Sequence, residues 1–319
     1  MIQKNQVFGV RGRFRGVLVL CAVLACPQVY AETRPAISEN KYITTFDVAT
    51  FFRGDCEATY VQAYCHISTM NLQFIKVDTA FMAMYRTTMT VTDELQRKVF
   101  EHALVDTVMV KTFWETDRLR PARVLCFSME LEPGTYVFDM RVRDLETRQD
   151  FQLRKGVNIE NYNKSETTIS TLFLAERVKP AEGRSHLVKA DYEVHPNVCR
   201  VVGPDMDSLF VYAEIYRPKS QDNPRSVMNI RYYVADENGR IVWERESEVP
   251  GPAASMSVIA CLDVANLNPG YYNIIMQVDF PKSGQTLLSS SSFLVLKPDL
   301  EAGQYARLLR MRFGEGESF

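Results

Sequence analysis

The sequence predicts an all-β chain built from two tandem immunoglobulin- or fibronectin-III-like antiparallel β-sandwiches, with a short C-terminal helical tail. Three observations carry that reading. Apolar and polar residues alternate over short runs separated by Pro, Gly, Asn and Asp, the pattern of strands with one buried face. Three segments recur in the same order in each half. Each half also places a Leu-x-Pro-Gly-x-Tyr turn at the start of a strand.

Taken in chain order, residues 1–31 read as a signal peptide. Arg11, Arg13 and Arg15 make a basic start, Val17 to Ala25 is apolar, and Val29-Tyr30-Ala31 supplies a cleavage site. The apolar run falls short of the ~20 residues a bilayer span takes. Val23-Leu24-Ala25-Cys26 offers a lipid anchor at Cys26 as an alternative, against which Leu24 and Pro27 count. No other stretch is long and apolar enough to cross a membrane.

The first sandwich is assigned to residues 36–158 and the second to 166–298. Tyr60 to Ile67 pairs with Phe210 to Tyr216, so that Val61, Ala63 and Cys65 match Val211, Ala213 and Ile215. Val91 to Phe100 pairs with Val234 to Trp243 as a hairpin, with Asn238-Gly239 expected in a type I′ turn. Leu131 to Tyr136 pairs with Leu267 to Tyr272. After each Pro-Gly, one face carries Tyr136, Phe138, Met140 and Val142, or Tyr272, Ile274, Met276 and Val278. A slip of one residue would turn all four into water. Tyr136 and Tyr272 are read as tyrosine corners, structural rather than functional. The alternation breaks near Lys155–Ser170, which sets the boundary. Residues 299–313 are a short amphipathic helix candidate with no evident partner in the chain.

Composition narrows the function. Removing Lys4 and the three arginines from 37 basic residues leaves 33 against 39 acidic ones, net −6. No basic cluster remains, so nucleic acid is not an expected partner. The 288 residues left can bury two ordinary cores. Five cysteines follow the leader, none in a metal-ligand spacing, and the odd count argues against a disulfide framework. Cys65 is expected as a buried thiol, with a Cys56–Cys65 bond as the lesser alternative. Cys126 and Cys261 lie in different domains and are not expected to meet.

No catalytic, cofactor or metal residue is assigned. His66, His102, His186 and His195 form no ligand cluster, and no nucleophile elbow or phosphate loop is present. Asp236-x-Asn238-Gly239 is read as a hairpin rather than a calcium loop, and Glu244, Glu246 and Glu248 as the solvent face of a strand. Phe210, Tyr212 and Tyr216 leave one strand apolar on both faces. The linker, the tail or the other domain is expected to cover it, with a partner site as the alternative.

Thr45 to Phe51, Leu72-Gln73-Phe74, and Leu131 to Tyr136 with Arg143-Asp144 resemble the N-terminal half of bacterial GWxTD-domain proteins. Pro196-Asn-Val-Cys-Arg-Val-Val-Gly-Pro-Asp205 is similar to that family's second-domain opening. The resemblance covers roughly residues 40–312 and implies exported sandwich repeats followed by a helical region. The naming motif itself is absent, and Trp114-Glu-Thr-Asp117 is read as a coincidence of letters.

These features together lead to the expectation of a non-enzymatic envelope protein of the periplasm or cell surface, a structural and interaction module with an envelope protein as partner. Two alternatives stand beside it. One is a carbohydrate-binding accessory module, which requires exposed Trp or Tyr in loops, whereas Trp114 and Trp243 are expected in or beside strands. The other is the accessory half of a longer protein whose functional domain lies beyond Phe319.

Overall fold

A computed structural model describes residues 44–53, 58–69, 72–116, 123–162, 166–183, 185–203, 206–218, 227–297 and Arg307. The leader, Cys26 and Cys56 lie outside the described residues, as does the tail helix apart from Arg307, which is helical. Among the described residues 68% are strand and 3% helix, and the strands form four sheets.

In the first half, β1 (Thr45–Phe51), β2 (Thr59–Ile67) and β6 (Arg123–Leu131) form one sheet, in the order β1-β2-β6. The facing sheet holds β3 (Ile75–Val77), β4 (Ala80–Asp93), β5 (Lys98–Val110), β7 (Gly134–Asp144) and β8 (Asp150–Ile159). A single turn of helix, α1 (Phe113–Thr116), lies between β5 and β6. The second half repeats the plan. The strands β10 (Phe173–Pro180), β14 (Ser208–Tyr216) and β17 (Ser255–Asp263) reproduce the first sheet. The strands β15 (Val227–Asp236), β16 (Ile241–Pro250), β18 (Gly270–Phe280) and β19 (Gln285–Val295) reproduce the second. The repeat therefore holds in strand order and pairing, not only in letters.

Four short strands belong to the second half. β9 (Thr168–Ile169) pairs with β14, and β11 (Val188–Lys189) with β12 (Tyr192–Pro196) extends the sheet past β10. β13 (Val201–Val202) runs parallel to β19, the one departure from antiparallel pairing among the described ladders.

The alternation read from the sequence sets the faces. Tyr136, Phe138, Met140 and Val142 are buried, as are Tyr272, Ile274, Met276 and Val278. They meet Val61, Ala63 and Cys65 in the first core, and Val211, Ala213 and Ile215 in the second. Cys65 is a buried free thiol, and Cys126 and Cys261 are free as well. Tyr136 Oη donates to the Glu132 carbonyl at 3.0 Å, and Tyr272 Oη to that of Asn268 at 2.9 Å. Both corners thus tie the strand to the backbone ahead of the Pro-Gly turn.

The hairpin turn differs from expectation. Gly239 has φ 76°, but Asn238 does not have a positive φ, so the turn is not type I′. Gly239 N–H donates to the Asp236 carbonyl, and the ladder shifts register just before the turn. This is a type I turn closed by one left-handed residue in a bulge. Asp236 explains the choice: its Oδ1 accepts the N–H groups of Asn238 and Arg240, which holds the type I geometry. The first copy is built alike on Asp93, with Gln96 taking the left-handed position at φ 61°. A side chain there costs about 1 kcal/mol or more, which glycine avoids. Urea unfolding is expected to show Gly239→Ala destabilised by about 1 kcal/mol. Gln96→Gly is expected to be stabilised by roughly half that, since glycine also loosens the unfolded chain.

Candidate interaction surfaces

Two surfaces stand out: a seam where the halves meet and a free strand edge on the first half.

The seam lies between the β1-β2-β6 sheet and the sheet containing β10, β14 and β17. Each of these sheets buries its second face here. Ala49, Phe51 and Tyr64 of the first half pack with Phe173, Ala175, Val194 and Tyr212 of the second. The Phe51 and Tyr212 rings meet edge-on with centroids 6.4 Å apart, and those of Tyr64 and Phe173 are 5.1 Å apart. Tyr216 packs on Phe52 and Tyr162, and its hydroxyl accepts the Phe52 N–H at 3.0 Å. The doubly apolar strand is thus covered by the other half, as expected, and Phe210 packs into the same cluster.

Polar groups pin the seam in register. Asp47 is buried in β1, and its carboxylate takes a two-pronged contact from Arg200, Nε at 2.9 Å and a terminal nitrogen at 2.6 Å. Lys155 Nζ stands 3.5 Å from the same carboxylate. Arg200 reaches it because the turn after β12 is fixed. The Asn197 side chain bonds Val201 on both its N–H and its carbonyl, and Arg200 adopts φ 53°. Parallel pairing of β13 with β19 follows immediately. The segment Pro196 to Val202 therefore does identifiable work: it carries the chain from one sheet to the other and delivers a guanidinium across the seam.

Lys189 is the second pin. It projects from β11 into the first half, where Nζ donates to Gln62 Oε1 and to Tyr64 Oη, both at 2.5 Å. The rings of Phe51, Tyr64 and Phe173 surround the ammonium at 4.7–5.3 Å from their centroids. Burial pushes its pKa down to about 8; weaker attraction from Cys126 and Glu214 opposes that shift, and repulsion from Arg53 adds to it. Burial likewise raises the Tyr64 hydroxyl well above its ordinary value. A third set of contacts joins Thr50, Tyr162 and Thr171 through their hydroxyls.

The free edge is β5. Among the described residues it pairs with β4 and no other strand. Its outward residues are Val99, Glu101, Ala103, Val105, Thr107 and Met109, of which Val105 is 53% and Met109 62% exposed. Met84 lies beside them on β4, opposite Thr107. The matching strand of the second copy, β16, is guarded differently. There Glu244, Glu246 and Glu248 face water, and Arg231 bridges the first two. Charges along an edge discourage strand addition. From Ala103 to Val110, β5 has one charge, Asp106, which accepts the Tyr85 hydroxyl at 2.9 Å.

Beyond β5, the longer connection of the first copy carries α1. Phe113 and Trp114 are 70% and 78% exposed there. The expectation for Trp114 is thereby refined: it sits on a helical turn between strands, open to solvent. Trp243 lies in β16, half-buried against the second core. Of the histidines, His102 rests between Phe100 and Phe127, and His195 bonds Glu193 at 2.6 Å. Among the described residues no group of three or more His, Cys, Asp or Glu is placed to hold a metal, and no helix is long and apolar enough to cross a membrane.

No protein-family model and no curated protein matches the sequence. Solved structures do. A β-glucuronidase of Parabacteroides merdae aligns at 12% identity over 75% of this chain and 29% of its own, with a TM-score of 0.25. A glycosyl hydrolase family 2 member from Bacteroides cellulosilyticus aligns at 10% identity over 74% and 28%, with a TM-score of 0.27. The chain spans less than a third of the length of either protein. Likeness at this level says nothing of activity.

Proposed function

We propose that the chain is a structural and protein-interaction module of a bacterial cell envelope, and not itself an enzyme. The observation that carries this reading is the unguarded edge of β5, held on a body whose two sandwiches are pinned together. An edge strand offers unpaired N–H and carbonyl groups to an incoming strand, and exposed apolar side chains beside it give that strand something to bury. The seam makes the body stiff, since rotation between the halves would break the Asp47–Arg200 contact and open an aromatic cluster. Residues 1–31 and the resemblance to GWxTD-domain proteins support export.

A photo-crosslinking residue at Met109, introduced into the full chain and activated in the native envelope, tests the reading. The expected result is a discrete protein adduct, absent when the same group replaces Glu246 on the guarded edge. Recovery of polysaccharide alone, or equal labelling at both positions, would overturn it.

Trp114 favours one second reading. An indole that is 78% exposed on a turn between strands is the kind of platform on which a sugar ring can stack. Under that reading Trp114→Ala loses retention on envelope polysaccharide and the Met109 adduct is absent.

A further inference from the structure

We propose that β5 pairs antiparallel with β5 of a second copy of this chain, about a two-fold axis through Leu104. The inference rests on the reading of β5 as an interaction edge and names its occupant.

The strand itself restricts the geometry. Pairing must keep inner faces with inner faces, because a one-residue slip turns every side chain over. A two-fold antiparallel pair therefore has its axis on a residue and not between two. Lys98–Val110 contains 13 residues, and Leu104 is its midpoint, so an axis there pairs the strand along its full length.

Charge selects the same residue. Lys98 already bonds Glu101 within the strand at 2.9 Å. His102 and Asp106, whose carboxylate also accepts the Tyr85 hydroxyl and stands 3.8 Å from Arg123 Nε, lie two residues either side of Leu104. Only an axis at Leu104 sets each opposite the other, twice by symmetry. Moving the axis to Ala103 places Asp106 against Phe100, and moving it to Val105 places His102 against Val108. On the outer face an axis at Leu104 pairs Val105 with Ala103 and Met109 with Val99 of the second copy. Two independent features of the sequence, length and charge, thus converge on one register.

The contact is self-complementary in the manner of closed dimers, and it would join two five-stranded sheets into one. The second half cannot do the same, because the exposed glutamates of β16 would meet glutamates.

Analytical ultracentrifugation of the full chain over a concentration series is the test. The expected result is a monomer–dimer equilibrium. Ala103 and Val105 are exposed and face each other across the axis, so the double variant Ala103→Lys, Val105→Lys sets like charges opposite one another twice. It is expected to weaken the dimer about tenfold or more. Ala103→Lys with Val105→Glu sets opposite charges there and is expected to restore it. A monomer at every concentration overturns the proposal, as does a dimer indifferent to both variants. Either failure leaves the interaction-module reading to its own test, since a heterologous adduct at Met109 from a monomeric chain would uphold that reading while removing this one.

Discussion

Asp47→Ala is expected to be the most damaging single substitution in the seam, costing about 3–5 kcal/mol of stability. The reason is the partner it abandons. Arg200 is buried almost as deeply as Asp47, and truncating the carboxylate takes a two-pronged, charge-neutralising contact away from its guanidinium. Lys155 can swing out to water, being less buried, but Arg200 is tied by its backbone to Leu294 and Asn197. Denaturant unfolding with small-angle scattering checks two things together: the loss of stability, and whether the halves part before they unfold. A loss below about 1 kcal/mol would mean that the pair is not the pin described. Replacing both partners, Asp47→Leu with Arg200→Met, is expected to recover most of the loss. An apolar pair has no charge to strand, and such swaps run from neutral to stabilising.

The second large effect concerns pH. Lys189 has a folded pKa of about 8 against 10.5 when unfolded, so folding disfavours its proton. Below pH 8 both states carry the proton, and the full penalty of burying the charge is present. Between pH 8 and about 10 the unfolded chain holds the proton and the folded chain gives it up, so stability rises with pH. The total is on the order of 3 kcal/mol if the whole shift is expressed. From about pH 9 the buried thiols of Cys65 and Cys126 begin to oppose the rise, because their unfolded forms ionise first, and above pH 10 Tyr64, Tyr212 and Tyr216 oppose it in the same way. Lys189→Met is therefore expected to abolish the rise and to be as stable at pH 7 as the wild type or more so. Gln62 Oε1 keeps a donor in that variant, the Tyr64 hydroxyl at 2.9 Å. A parallel rise in both proteins would show that Lys189 does not cause it.

Much of this architecture could be read from letters because it depends on short-range periodicity. The four-residue apolar faces after each Pro-Gly turn, the core position of Cys65, which is the counterpart of Ile215 in the other copy, and the solvent face of Glu244, Glu246 and Glu248 all follow from alternation alone. The hairpin was legible as a hairpin, while its turn type was not. Asn-Gly signals one geometry, but the Asp two residues earlier binds the backbone and imposes another. The seam was half legible. An aromatic strand on both faces announces that something covers it, yet nothing in periodicity says what. Asp47 did carry a signal, the one charged residue in a strand of Phe, Val, Ala and Thr, which implies a partner without naming one. Lys189 carried none, since a lysine in a polar stretch reads as solvated until the fold brings three aromatic rings around it. The bare edge of β5 emerges only when the two copies are laid side by side and their outward residues compared.

The seam has a further consequence for symmetry. Strand β1 touches β14 through Phe51 and Tyr212, and their counterparts in the other copy, β10 and β2, touch through Phe173 and Tyr64. At the level of strands the two contacts exchange under the repeat, as they do across a two-fold homodimer interface. At the level of residues they do not, because the alignment that matches Val61 and Ala63 with Val211 and Ala213 sets Gln62 against Tyr212 and Tyr64 against Glu214. Two halves of one chain need not be identical where they meet, so an acid can stand in one, Asp47, and its arginine in the other, Arg200.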